Sequence, residues 1–299
     1  MVVAFACMSS CSTGIEGTKK IRMNKDDIKQ MAKSDEQNFA DEIAGVPLKD
    51  WKEGRKFLAM NERALYLFDS APGELKKSSI QGEVLSYVGY QSRVTPDLSD
   101  ECLLIFSDGT ENFLYNAGKS TKEALNDIDS SKIPLLADIE IIDEWRRNLT
   151  GKTLWTKNNL WYGEDGSKKA GLKFAKVKVL DIMPAVGDFP MKVKVDYNGD
   201  VSYIFMNYTT DIADSRNFAA IFFLADPKLK YPNVSNEVWT LIQSGKVAKG
   251  MTKEECRLSL GTPDELRAGH NTSQTLDIWQ YSNGTYLFFE DGLLTSFRQ

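Results

Sequence analysis

The chain has 299 residues, of which 42% are hydrophobic and 26% charged, and its net charge is −5 at pH 7. This length is sufficient for two or three domains with separate cores, and the composition is that of a soluble globular protein. The mild negative charge and the lack of a basic stripe argue against a nucleic-acid partner. No run of 18 apolar residues follows the first residues, so the sequence predicts no membrane-spanning helix in the body of the chain.

A single histidine, His270, limits the catalytic chemistry that the chain can support. It excludes metal sites that need two histidines, and a catalytic triad would depend on a residue in the polar, turn-rich stretch RAGHNTSQT. No spacing singles out a pair of carboxylates. We therefore interpret His270 as an exposed loop residue and expect a protein that is not an enzyme, with no metal and no cofactor.

The chain begins MVVAFACMSSC, an apolar stretch with small residues before Cys11. It resembles the end of a bacterial lipoprotein signal with its lipobox, which implies that Cys11 carries a lipid and that residues 12–45 form a polar tether and a short helix. Only ten residues precede Cys11, whereas a signal normally has a basic start and a longer apolar core. Either the true start codon lies upstream or the stretch is an apolar tail; Cys7 is the less suitable lipid site.

Two segments of the middle of the chain share the same order of signals. Each opens with a glycine and a basic residue, Gly54-Arg55 and Gly151-Lys152, and each ends in a hairpin whose turn is Asp108-Gly109 or Asn198-Gly199. Such turns favour the type I′ geometry, which needs positive φ at both central residues. A shared order at a near-constant offset indicates a tandem repeat.

Between the two copies, the segment LADIEIIDEWRRNL has helical periodicity. Its apolar stripe predicts a helix that packs between the copies, and the stripe comprises Ile139, Ile142, Trp145 and Leu149. The glycine-basic starts, a Leu-Trp-Tyr run and a count of five strands are similar to bacterial SH3-like domains. This resemblance implies two small β-barrels, at residues 46–132 and, together with the linking helix, at 133–229.

The aromatic residues Trp155, Trp161 and Tyr162 lie close together in the second copy. They are candidate binding residues for a peptide or a cell-wall fragment, because exposed aromatic rings can stack on a ligand or contact its cations. The alternative is that they fill a small core and its rim.

The last 70 residues predict two helices followed by hairpins. Ser235 or Asn236 can cap the first helix, and Thr252 with Glu255 forms a capping box at the start of the second. Turns at Asn283-Gly284 and Asp291-Gly292 then separate three predicted antiparallel strands. The pattern indicates an α+β domain.

This C-terminal region, residues 230–299, resembles the SmpA/OmlA (BamE-like) domain of bacterial envelope lipoproteins. The residues that carry the resemblance are Gly250, Met251, Thr252, Gly261, Pro263, Trp279, Tyr281, Gly292 and Leu293. The family implies a scaffold without catalysis. Cys256 takes a place where an aliphatic residue is usual, and we interpret it, like Cys102, as a buried structural thiol.

The sequence thus predicts a mostly β, multi-domain protein: two SH3-like barrels followed by a domain of two helices and a three-stranded sheet. The expected function is a non-catalytic envelope lipoprotein, anchored by its lipid at the outer membrane, that binds a protein partner of the envelope. The alternative is binding of peptidoglycan fragments through the SH3-like copies.

Overall fold

The computed structural model describes residues 33–43, 45–69, 77–211, 214–270 and 275–298, with only the backbone of Gly269 and His270. Cys7, Cys11 and most of the predicted tether lie outside these residues. The chain divides into two compact units, with the boundary between Pro232 and Asn233. No helix in the described ranges is long and apolar enough to cross a membrane.

The described α-helices are α1 (Asp35–Asp41), α2 (Thr121–Asp127), α3 (Ile139–Leu149), α4 (Phe218–Ile221), α5 (Asn236–Gln243) and α6 (Lys253–Leu260). Short 3₁₀ helices cover Leu48–Asp50, Glu62–Leu67, Ser130–Lys132 and Pro227–Lys230. The described strands form antiparallel sheets, so the fold is mostly β, as predicted.

The first sheet contains β1 (Lys56–Ala59), β2 (Phe68–Asp69), β3 (Val84–Val94), β4 (Asp100–Ser107), β5 (Asn112–Asn116) and β6 (Leu136–Asp138). The second contains β7 (Thr153–Thr156), β8 (Leu160–Tyr162), β9 (Lys168–Ala170), β10 (Lys176–Pro184), β11 (Met191–Tyr197), β12 (Asp200–Met206) and β13 (Phe222–Phe223). The C-terminal sheet contains β14 (Glu265–His270), β15 (Thr275–Gln280), β16 (Tyr286–Glu290) and β17 (Leu293–Arg298).

The first two sheets have corresponding strand orders. The first runs β2-β5-β4-β3-β1-β6, and the second, taken from its other edge, runs β9-β8-β12-β11-β10-β7-β13. Each strand of the first sheet therefore has a counterpart in the second, with β9 added at one edge. In both, the longest strand is bulged near its middle, at Tyr87/Gly89 in β3 and at Val179/Asp181 in β10. Shared topology and shared bulges support the repeat, although the described sheets hold six and seven strands rather than the predicted five.

The glycine-basic pairs occupy equivalent positions in the two sheets. The N–H of Gly54 donates to the carbonyl of Tyr87 at 2.8 Å, and that of Gly151 donates to the carbonyl of Val179 at 2.9 Å. Both glycines have positive φ, +87° and +82°, a region that costs other residues steric strain. The repeated glycine is thus explained by the turn that leads into the first strand of each sheet.

The strand β1 separates two hydrophobic cores. Phe57 and Ala59 point into the first core, which holds Phe106 and Phe113, because alternate residues of a strand face opposite sides. Leu58 points into the second core with the second sheet. The neighbouring β6 is shared in the same way. It belongs to the first sheet although it follows residue 132, where the sequence predicted the first domain to end.

The helix α3 contributes Ile141, Ile142, Trp145 and Leu149 to the second core, and it packs on β10. Ile139, at the start of the predicted stripe, is partly buried against the same core.

Both predicted hairpins of the repeats are present, but only one has the predicted turn. Asn198 and Gly199 both have positive φ, +53° and +89°. At Asp108-Gly109 only the glycine does, and the loop is longer because the carboxylate of Asp108 accepts the N–H of Thr110 at 2.7 Å and of Glu111 at 2.9 Å.

The C-terminal unit begins with α5 and α6. Ser235 caps α5, and Thr252 forms the predicted capping box with Glu255 in α6. The prediction of three strands was wrong, because the described sheet has a fourth strand, β14, paired with β15. Its sequence ELRAGH alternates only over the four residues Glu265–Ala268, and it pairs with the edge that β15 offers. His270 therefore lies at the end of a strand rather than in a loop.

Candidate binding surfaces

The thiols of Cys102 and Cys256 are inaccessible. Both residues are fully buried. Burial raises the pKa of Cys102, and burial together with the nearby charge of Glu255 raises the pKa of Cys256 to about 12. Because the thiolate is the nucleophile, neither thiol is activated for catalysis. Within the described ranges, no group of three or more His, Cys, Asp or Glu residues is arranged to hold a metal ion.

A buried ion pair lies where the two repeats meet. Arg55 donates from Nε to Asp138 at 2.9 Å and from Nη1 to Glu140 at 2.7 Å. The other carboxylate oxygen of Asp138 accepts the N–H of Glu140 at 3.0 Å and so caps α3. The side chain of Asp138 is fully buried, and both of its carboxylate oxygens accept hydrogen bonds from the protein, so the pair serves to join the repeats.

A cleft of about 290 Å³ opens beside this junction, with Met60 and Tyr208 among its lining residues. Most of its polar side chains are already engaged. The hydroxyl of Tyr208 accepts the N–H of Asp138 at 3.2 Å, Ser131 donates to Asp129 at 2.7 Å, and the Asn207 amide donates to Asp214 at 2.6 Å. Few polar groups are left to orient a ligand, so the cleft is a weak candidate site.

The three aromatic residues singled out in the sequence do not form one groove. Trp161 is only 3% exposed, and a Cβ atom at Gly171 would lie 2.5 Å from its ring, so the core interpretation holds for this residue. Tyr162 faces the opposite side of the sheet and packs edge-on against Phe205 at 5.1 Å. Trp155 is partly buried on β7, which β10, β11 and β12 separate from β8 in the sheet order.

The outer face of the second sheet, called the lysine face below, combines lysines with aromatic residues. Its members are Lys168, Lys176, Lys178, Lys192, Lys194, Tyr162, Tyr203 and Phe205. The register places Lys194 beside Tyr203, Tyr203 beside Tyr162, and Lys192 beside Phe205. The alternating valines of β10 and β11 point into the core instead. Alternation within KVKV therefore separates a basic surface from a buried one.

The charge of the lysine face is balanced only in part, because two acids, Asp181 and Asp196, lie opposite Lys194 and Lys178 in register. None of its five lysines has an ion-pair partner among the described residues. Of the acids in this sheet, Asp181 is paired with Arg146 at 3.1 Å and Asp200 with Lys169 at 2.7 Å, whereas Asp196 lies opposite Lys178 in register.

Two ammonium groups of this face also lie over an aromatic ring: those of Lys192 and Lys194 are 5.2 and 6.0 Å from the ring centroid of Tyr203. Such a surface can bind an extended anionic ligand through charge and ring contacts.

A second candidate surface, called the outer apolar face, lies on the C-terminal sheet. Its apolar members are Leu276, Ile278, Tyr286, Phe288 and Leu293. Phe288 is 37% and Leu293 48% exposed, whereas Trp279 and Leu287 on the opposite face are buried. The alternation of this region was visible in the sequence, but apolar residues on both faces do not reveal which face the helices cover.

No protein-family model matches the chain, and no match was found among curated proteins or solved structures. The candidate surfaces therefore rest on their own geometry and chemistry.

Proposed function

We propose that the chain is a non-catalytic, lipid-anchored scaffold of the bacterial cell envelope, and that its lysine face binds an acidic protein partner. The observation that carries the binding role is the set of five lysines without ion pairs beside aromatic rings, in a chain whose net charge is −5. A basic surface on an acidic chain favours a partner of opposite charge and steers its approach.

We also propose a fold family for the two repeats and for the C-terminal unit. We propose that the repeat sheets are SH3-like, supported by their corresponding strand orders, the bulge in each longest strand and the short helical turn at 130–132 or 218–221 before each last strand. The BamE-like assignment of the C-terminal unit is supported by its two capped helices and the antiparallel hairpins that follow.

The location at the outer membrane rests on the sequence before the described residues. A lipid on Cys11 would hold the scaffold at the membrane and raise the local concentration of its binding surfaces. Modest affinity for each partner would then suffice.

A second candidate function is binding of peptidoglycan fragments on the same face. It is favoured by the partly exposed Tyr162 and Phe205 pair beside the lysines. Aromatic rings can stack on sugar rings, and ammonium groups can pair with the carboxylates of wall peptides.

A site-specific crosslink tests the proposal. Val201 is 38% exposed and lies on the lysine face opposite Asp196, so a photo-reactive phenylalanine analogue at this position would label whatever occupies the face. Leu229, 78% exposed in the 3₁₀ helix Pro227–Lys230, is the matched control position. Crosslinking is performed in native membranes, with and without muramidase digestion of the wall.

We expect a discrete protein adduct from position 201, absent from position 229 and lost in the Lys192→Glu/Lys194→Glu variant. The variant Lys52→Glu/Lys122→Glu makes the same charge change at exposed positions of the first repeat and should retain the adduct. An adduct that disappears on wall digestion would transfer the function to peptidoglycan binding. No adduct from position 201, or one that the lysine substitutions leave intact, would refute binding through this face.

A further inference from the structure

We propose that the outer apolar face of the C-terminal sheet is the interface of a homodimer, in which two copies pack face to face about a two-fold axis parallel to the strands. This inference does not depend on the proposed function, because it concerns the other compact unit and another ligand, a second copy of this chain.

The register of the sheet defines three rows of residues across this face, and the third is Gly269, Leu276, Glu290 and Leu293. One row is Glu265, Gln280, Tyr286 and Arg298, from β14 to β17. The next is Arg267, Ile278, Phe288 and Ser296. The apolar pair Ile278 and Phe288 thus lies at the centre of the sheet, while opposite charges lie at its two edges.

A two-fold axis parallel to the strands makes the first two rows complementary to themselves, while in the third row Leu276 lies over Glu290 of the second copy. Such an axis places β14 of one copy over β17 of the other, and β15 over β16, without changing the position along the strands. Ile278 then lies over Phe288 of the second copy, and Glu265 lies near Arg298 of the second copy. Symmetry repeats each contact, so one apolar pair and one charge pair become two of each.

The alternative axis, perpendicular to the strands, gives poorer chemistry. When this axis passes through the Phe288 row, it places each strand over its own counterpart in the reverse direction, so Arg267 would face Arg267 of the second copy and Tyr286 would face Glu290. The axis parallel to the strands keeps Ile278 over Phe288, brings Glu265 to Arg298 and brings no like charges together, so it is the arrangement that we propose.

The face is accessible for such packing. Phe288, Leu276 and Leu293 are 37%, 38% and 48% exposed. At the edge, the pair that Glu265 forms with the described residues is with Arg267 of its own strand, at 3.3 Å, and both side chains are largely exposed. An exposed pair of this kind contributes little free energy and can be exchanged for a contact with the second copy.

The area of this face determines how tightly the two copies should bind each other. Four strands of about six residues cover about 400 Å² of sheet, roughly half of what each partner contributes to a standard protein interface. We therefore expect a weak dimer, with a dissociation constant on the order of 10–100 µM.

Sedimentation velocity over a concentration series tests the dimer directly. The sample is the full chain with Cys11→Ser, which removes the proposed lipid site. We expect a concentration-dependent dimer whose dissociation constant rises by about tenfold or more in Phe288→Ser. The matched control is Phe297→Ser, because Phe297 has nearly the same exposure, 38%, but lies on the opposite face beside the register partner Leu287. Thermal unfolding of each variant verifies that the unit remains folded.

A charge exchange tests the orientation. Glu265→Arg alone or Arg298→Glu alone places like charges together and should weaken the dimer, whereas the double variant should restore it. Arg267→Ser controls for loss of the contact within the strand. A monomer at every concentration, a dimer that tolerates Phe288→Ser, or a double variant no stronger than the single ones would overturn the proposal.

Discussion

Arg55 and Lys152 occupy the same position of the two repeats but take part in different interactions. Arg55 is buried and bonded to Asp138, whereas Lys152 is exposed and its ammonium group lies 5.4 Å from the ring centroid of Phe39. The repeated motif therefore determines the backbone at this turn, while the contacts of the basic side chain depend on what packs above it.

The first prediction follows from this difference. Arg55→Ala leaves the carboxylate of Asp138 buried without its cation, so the free energy of unfolding should fall by about 3–5 kcal/mol. Lys152→Ala is the matched control and should cost less than about 1 kcal/mol. Urea unfolding followed by circular dichroism measures both values. Equal effects of the two substitutions would show that the Arg55 pair has no special role.

The second prediction concerns the buried thiols. In a chain with Cys7→Ser and Cys11→Ser, Cys102 and Cys256 are the remaining cysteines. Because burial raises the pKa of both, Ellman's reagent at pH 8 should label neither in the folded protein and both in urea. Rapid labelling of Cys256 without denaturant would contradict its assignment as a structural thiol.

At the scale of elements, α1 is held against the second repeat by a partly polar contact. A carboxylate oxygen of Glu36 accepts the N–H of Leu224 at 3.2 Å, and the other lies 3.5 Å from the ammonium group of Lys157. Burial alone would raise the pKa of Glu36, but the Leu224 hydrogen bond and the Lys157 charge outweigh it, so this pKa is lowered. Burial lowers the pKa of Lys157, which the charge of Glu36 opposes.

The third prediction is a pH dependence. A lowered pKa in the folded state contributes stability above the ordinary value of 4.5, and this contribution is lost as the pH falls through the folded value. The melting temperature of the unsubstituted chain should exceed that of Glu36→Gln at pH 6, and the difference should shrink as the pH falls below 4.5 and through the lowered folded pKa. Glu42→Gln, at an exposed position just after α1, should show no such difference. A difference that is constant with pH would exclude the charge as its source.

At the scale of the whole molecule, the repeats form one compact unit because a single strand serves two cores. Phe57 and Leu58 are neighbours in β1, yet the first contacts the core of the first sheet and the second that of the second sheet. The junction is tightened by the hydrogen bond from the N–H of Gly187 to the carbonyl of Met60, at 2.7 Å. A duplication therefore need not give two independent domains.

The fourth prediction uses this shared strand. Phe57→Ala should cost about 3–5 kcal/mol and Leu58→Ala about 2–5 kcal/mol, since each removes a buried side chain. Hydrogen exchange should locate the effects differently: faster exchange in β4 for Phe57→Ala, and in α3 and β10 for Leu58→Ala. Identical exchange maps for the two variants would contradict two cores on opposite faces of β1.

The sequence by itself determined the local features of this protein. The caps of α5 and α6, the tight turn at Asn198-Gly199 and the repeat with its glycine turns follow from backbone chemistry within a few residues. Such features depend on which φ values and hydrogen bonds neighbouring residues allow, and these are properties of short segments.

Only the tertiary structure decided the long-range features. The strand β14, the burial of Trp161 and the exposure of the lysine face depend on which strand edges and sheet faces find a partner. Alternation in a strand predicts that two faces differ, but the packing of other elements selects the buried face. In β15 and β16 both faces carry apolar residues, and the buried face is the one that the helices α5 and α6 cover.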